Sequence, residues 1–219
     1  MTDIEALPQP ARAERAHVLS AIAELPAGAW IATDADNTLW SGDVGDEVVR
    51  TAQTAPYAPW RADDADLAAY FALMDVSYIE GCRFSAQLLA SVDAGAARAR
   101  LHDALSSRVV PRRWLVDALQ AAIARGVHVV VISASPQPAV QLGVDLAGLV
   151  GAEVIGLECM LTPAPHFVEP LPIGFGKPAA IIARGLPRPD LALGDSRWDL
   201  PLLHHARMGY WLTPASDEP

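Results

Sequence analysis

The sequence predicts an α/β fold, a Rossmann-like parallel sheet with a helical segment inserted after its first strand. Three observations carry this. Residues 29–33 (AWIAT) form a buried apolar run that stops at two carboxylates, Asp34 and Asp36, as a core strand does when its carboxyl end opens onto a ligand site. Residues 127–133 (VHVVVIS) form a second run, apolar and β-branched like a parallel strand covered on both faces. Between them, from 41 to 107, no convincing β-branched run occurs, and the stretch is too long for one crossover.

The elements follow in order. Residues 11–25 place Ala16, Leu19, Ile22 and Ala23 at helical spacing and stop at Pro26 and Gly28, so a helix feeds the first strand. The 41–107 stretch, rich in alanine, aspartate and aromatics, reads as a helical cap over the carboxyl edge of the sheet, beside Asp34 and Asp36. A helix over 111–125, opened by Pro111 and stopped by Gly126, precedes the second strand. Then come a helix over 136–149, a strand over 153–160, a short helix over 176–184, a strand over 190–194, a helix over 198–206 and a strand over 208–212. This alternation implies right-handed crossovers. A core domain is expected over 1–40 and 108–219, and a cap domain over 41–107.

Composition excludes several classes of partner. At 219 residues and 52% hydrophobic, the chain can bury a full-sized core. A net charge of -10 and a pI near 4.9 argue against nucleic acid and anionic membranes, which need a basic surface. No uncharged apolar run spans a bilayer, and the amino terminus, MTDIEALPQPARAER, lacks a basic and then apolar leader, so a cytoplasmic protein is expected. Cys82 and Cys159, the only cysteines, have no CxxC spacing and read as free thiols.

Four short features carry chemistry, each with a bland alternative. Asp34 and Asp36 fit a cation site, a shared proton or a reaction; alone, they fit an Asx-type turn at a strand end better. Lys177 is the only lysine among 16 basic residues, and it follows Gly174, Phe175 and Gly176 at a helix start, where an anion is favoured. It is otherwise an ordinary surface lysine. In GDSRWD, Asp195 ends a strand and Asp199 opens a helix, as ligands or as caps. Ser133 closes its strand and could offer a hydroxyl to an anion or cap the next helix, a duty Ser135 fits better.

The order of these features decides among the readings. DADNT after one strand, Ser133 after the next, Lys177 at a helix start and GDSRWD after a later strand all fall on one predicted edge. In this the sequence resembles the haloacid dehalogenase (HAD) superfamily of phosphohydrolases, from residue 29 to 199, with the insertion matching the family's helical C1-type cap. The resemblance implies that Asp34 is the nucleophile, forming an aspartyl-phosphate, and that Asp36 is the general acid and then base. It implies Mg²⁺ held by the Asp34 carboxylate, the Asp36 backbone carbonyl and Asp195, with Asp199 orienting Lys177 or a metal-bound water. Lys177 and Ser133 would hold the phosphoryl oxygens. Asp36 also separates this chain from the family's dehalogenases and ion-pumping ATPases, which implies a phosphatase or phosphomutase.

The cap suggests a substrate. Residues 40–84 hold Trp40, Tyr57, Trp60, Tyr70, Phe71, Tyr78 and Phe84, with eight acids against Arg50, Arg61 and Arg83. An acidic, aromatic pocket suits a cation; the same residues equally suit a small core with a wet acidic face. The stretch SGDVGDE resembles phosphoserine phosphatases, where an acidic residue near Asp43 receives the substrate's ammonium, and Arg83 is the candidate for a substrate carboxylate. The spread of motifs also resembles phosphorylcholine phosphatase relatives. The expectation is a small phosphomonoester carrying an amine or quaternary ammonium. The rivals are a phosphomutase of the same fold and, from another class, a non-catalytic phosphate-binding module.

Overall fold

The structure, a computed structural model, describes residues 4–54, 67–91, 94–162 and 164–217. Helix α1 (Arg15–Glu24) leads into β1 (Trp30–Thr33) and then the short β2 (Trp40–Ser41). Helices α2 (Val44–Thr54), α3 (Leu67–Val76), α4 (Tyr78–Ala90) and α5 (Ala94–Arg108) follow. Strand β3 (Val110–Pro111) closes this stretch by pairing antiparallel with β2. The chain continues through α6 (Arg113–Ala124), β4 (His128–Pro136), α7 (Gln137–Ala147) and β5 (Glu153–Leu157). A hairpin of β6 (Cys159–Thr162) and β7 (Ala164–Phe167) precedes α8 (Gly176–Ala183), β8 (Leu191–Gly194), α9 (Leu200–His205) and β9 (Met208–Trp211).

The central sheet is parallel, in the order β5-β4-β1-β8-β9. The chain steps outward from β1 to β4 and β5, then returns to the other side of β1 for β8 and β9. Strand order therefore reverses at β1, which makes its carboxyl end the crevice where open α/β sheets bind ligands. The pleat sorts the core into two faces. Ile31, Val129, Val131, Leu191 and Leu193 pack with α1, α6 and α7, whereas Ala32, Val130, Ile132 and Ala192 pack with α8 and α9. That two-sided burial explains why these strands read as continuous apolar runs.

Several boundaries differ from the sequence expectation. The strand expected over 153–160 is two elements: β5 ends at Leu157, and from Cys159 the chain pairs with Phe167 in a hairpin instead of with β4. The helix expected from residue 11 begins at Arg15, because Ala13 N–H donates to the Trp211 carbonyl and ties this segment to the edge of β9. The helix expected from 111 begins at Arg113, since Pro111 lies in β3. Strand β4 runs past Ser133 to Pro136, so Ser135 is a strand residue and not a helix cap. A tight helical turn over Arg197–Asp199 stands where the helix expected from 198 was to begin.

Trp40, one of the aromatics assigned to the cap, is fully buried and packs against Gly143 of α7. Tyr57, Trp60, Arg61, Asp63, Asp64 and Asp66 lie outside the described residues. Cys82 and Cys159 are both free. No helix among the described residues is long and apolar enough to cross a membrane.

Candidate active site

The carboxyl ends of β1, β4 and β8 and the start of α8 converge on a cavity of about 140 Å³. It is lined by Asp34, Asp36, Asp43, Ser133, Lys177 and Asp195, all selected from the sequence. A larger cavity of about 290 Å³ between α4, α5 and α7 is lined mainly by leucine, alanine and proline and holds no carboxylate, so chemistry and not size identifies the site.

Lys177 is the centre of the arrangement. Its ammonium, 2% exposed, donates to Asp34 Oδ1 at 2.5 Å and to Asp199 Oδ1 at 2.6 Å. Burial opposes its charge, but Asp199 and Asp34 outweigh burial and raise its pKa. Lys177 reaches this position because α8 starts tightly against the preceding loop: a Cβ on Gly176 would meet the Leu171 carbonyl oxygen at 1.7 Å. Asp199 is held in turn: its Oδ2 accepts from Ser196 N–H at 2.9 Å, Ser196 Oγ at 2.8 Å and Asp195 N–H at 3.2 Å. Here the capping and functional readings of Asp199 coincide, for it closes a capping box with Ser196 while orienting Lys177.

Asp34 continues the sheet, its N–H donating to the Leu193 carbonyl. Burial and the charge of Asp199 push its carboxyl up to about 7 against the pull of Lys177. Three residues on, Asn37 takes a left-handed backbone (φ 57), a conformation asparagine tolerates, and the chain turns so that Asp36 faces the same cavity. Asp36 Oδ1 accepts from Trp40 Nε1 at 3.0 Å and Val44 N–H at 2.9 Å, and Oδ2 from Ser135 Oγ at 2.7 Å and Ser133 Oγ at 3.4 Å. Burial first, then the nearby Asp43, raises its pKa to about 7 despite these donors.

Asp195 accepts from Thr38 Oγ1 at 2.9 Å, and its backbone carbonyl takes hydrogen bonds from Arg12 and from Trp211 Nε1, both at 2.6 Å. Burial and the charges of Asp34 and Asp199 push its carboxyl to about 8. Asp34, Asp195 and Asp199 each offer an oxygen within 4.8 Å of the others, a donor set suited to a hard divalent cation. Asp34 and Asp195 fit that duty better, because both Asp199 oxygens already have partners. Three buried carboxylates around one ammonium leave negative charge uncompensated, which a cation would relieve.

Asp43 caps α2, its Oδ1 accepting from Gly45 N–H at 2.8 Å and Asp46 N–H at 3.0 Å, while also lining the cavity. Burial, followed by Asp46, raises it to about 6. Arg83 lies elsewhere on α4, paired with Glu80 at 2.7 Å and Glu169 at 3.6 Å and set over the Phe167 ring. Ser135, Thr38, Arg12 and Trp211 are the supporting residues that sequence reasoning missed. Tyr78 and Trp198 also line the cavity.

Relatives agree with this placement of the fold. The structure superposes on a Bordetella pertussis Tohama I protein of unknown function with a TM-score of 0.65 at 15% identity, over 81% of this chain and 86% of that one. A substrate-bound phosphoserine phosphatase gives 0.55 at 17% identity, over 85% and 86% of the two chains. Cytosolic 5'-nucleotidase IIIB bound to cytidine gives 0.58 at 17% identity, over 93% and 79%. No curated protein sequence matches this chain. The family model of the haloacid dehalogenase-like hydrolases matches residues 31–204, from the second residue of β1 into α9, and the chain therefore belongs to that family of hydrolases, sharing its fold with phosphatases of known structure.

Proposed function

We propose that the chain is a Mg²⁺-dependent phosphomonoester hydrolase working through an aspartyl-phosphate on Asp34. One observation carries this: Asp34 and Asp36 face one cavity in different hydrogen-bond environments. Asp34 has one oxygen fixed by an ammonium and so presents the other for attack. Asp36, near 7, is poised to carry a proton at neutral pH, as general acid catalysis requires.

An Asp34 oxygen attacks phosphorus, and the bond to the leaving oxygen breaks as Asp36 gives that oxygen its proton. Water then attacks the phosphorus, Asp36 takes the water's proton, and the Asp34–phosphorus bond breaks to release phosphate. Lys177 and Ser133 hold the phosphoryl oxygens and offset their charge. Asp34, Asp195 and the Asp36 carbonyl would hold Mg²⁺, which supplies charge compensation between an anionic nucleophile and an anionic substrate.

Residues 41–107 act as the cap over a core of 1–40 and 108–219 in this reading, and the chain works in the cytoplasm. Asp43, a carboxylate on the cavity wall whose Oδ1 accepts from the backbone N–H groups of Gly45 and Asp46, suits an amine or quaternary ammonium on a small substrate. The carboxylate contact expected of Arg83 lacks such support, because that side chain is committed to Glu80 and Glu169.

The test is a phosphomonoester panel with Mg²⁺ and with chelator, on the wild type and on Asp34→Asn. Turnover should need the metal and vanish in the variant, with a loss of at least about 10³-fold. Undiminished turnover in Asp34→Asn would falsify the assignment, and neutral sugar phosphates outrunning phosphoethanolamine and phosphocholine would reject the ammonium.

A further inference from the structure

Two aromatic rings from distant parts of the chain meet at the catalytic cavity. Tyr78 opens α4, where Ser77 caps the helix by accepting from Glu80 N–H, and Trp198 sits in the tight turn immediately before Asp199. Their rings stack, with centroids 4.6 Å apart and planes at 14°, and both line the cavity that holds Asp34 and Lys177. Neither ring is free to swing. A Cβ on Gly174 would lie 3.4 Å from Trp198 Cε3, so the indole rests on the loop leading into α8. Both rings pack on the buried cluster that includes Cys82, one turn along α4 from Tyr78, together with Leu171 and Ile173.

We propose that the Tyr78–Trp198 stack is the specificity-determining wall of this site, restricting it to phosphomonoesters whose leaving group is only a few atoms long. The inference rests on the phosphatase reading above and names what that site admits. The cavity, at about 140 Å³, is roughly half the lower end of ordinary small-molecule pockets, about 300 Å³, and the phosphoryl group must occupy part of it. A bulky leaving group has to break the stack. A short one fits between the ring faces and Asp43, where a cationic end meets both a π surface and a carboxylate.

The wall is tested by the ratio of kcat/KM for naphthyl phosphate to that for aminoethyl phosphate, measured with Mg²⁺ on the whole chain. Wild type should favour the small ester, and Tyr78→Ala should raise the ratio by about tenfold or more, in the range by which pocket shape discriminates substrates. Tyr78→Phe, which keeps the ring, should keep the wild-type ratio. Tyr78→Leu, which keeps apolar packing against Cys82 and Ile173 but not the stack, gives the same readout should the alanine variant fail to fold. A ratio unchanged in the ring-less variants, with both rates moving together, overturns the wall alone. A wild type that hydrolyses both esters equally also overturns it. Absence of turnover on every monoester overturns the phosphatase reading and the wall with it.

Discussion

In the proposed mechanism the Asp36 carboxyl has to hold a proton in one step and recover it in the next, and four donors around it set that balance. Burial and Asp43 push its pKa upward, while Ser135, Val44 and Trp40 pull it down. Ser135→Ala removes the shortest of these hydrogen bonds, so the carboxyl should bind its proton more tightly. In kcat/KM the first step needs Asp36 protonated, so activity falls as pH rises through its pKa. The variant should therefore shift that descending limb to higher pH, and a limb that stays in place or moves downward would defeat the account. Sequence reasoning missed Ser135 because a serine just before a helix reads as its cap. In the structure, the strand runs three residues further, to Pro136, and turns the Ser135 hydroxyl to Asp36. Arg12 and Trp211 carried no local signal at all, since their partner is a backbone carbonyl at Asp195, far away in sequence. The acids and Lys177 were legible because their order along alternating elements, and not any single residue, distinguishes a site from a set of caps.

Close approach of separate elements depends on Gly194, the last residue of β8. A Cβ there would lie 2.4 Å from Asp199 Cβ and 2.7 Å from Asp199 Cγ, atoms that have no flexible tail to move aside. Gly194→Ala must displace the turn that orients Lys177. It should cost about 1–3 kcal/mol of stability, as overpacking does, and should lower turnover per folded molecule as well. Gly185→Ala is the contrast: with φ +68 and nothing within 4 Å, it strains the backbone after α8 without touching the site. Thermal unfolding alongside kcat separates the two, and equal kcat in both variants would show that the Gly194 contact has no bearing on Lys177. The central strands were legible because their burial on both faces leaves an unbroken apolar run. The β6–β7 hairpin was not, because residues 159–167 carry prolines and no alternating pattern, and their pairing is set by the tertiary position of β5.

Across the molecule, a chain of formal charge -10 gathers four of its carboxyls around one cavity, in a buried cluster that resists ionising. Asp34 and Asp36 are raised to about 7, Asp43 to about 6 and Asp195 to about 8, burial being the first cause in each. The fold arrangement explains why: strand order reverses at β1, and α2 and α4 bring Asp43 and Tyr78 over the opening, so acids from separate elements share a space with one lysine. The alternation of strands and helices was legible in the sequence, but this crowding was not, since it arises only when distant strand ends meet. The linkage has a definite sign. Each group binds its proton more tightly folded than unfolded, so its contribution to stability is fully present below the unfolded value near 4 and is lost as pH rises through 6 to 8. In chelator, the melting temperature should fall between about pH 5.5 and about pH 8.5, at about 2–4 °C per kcal/mol for a domain of this size. Mg²⁺ binds the ionised carboxylates, so at matched ionic strength it should raise the melting temperature more at the higher pH, and Asp195→Asn should shrink both the fall and the rescue. A melting temperature that rises with pH in chelator, or an equal Mg²⁺ effect at both ends, would mean that the cluster is compensated from within and has no need of a cation.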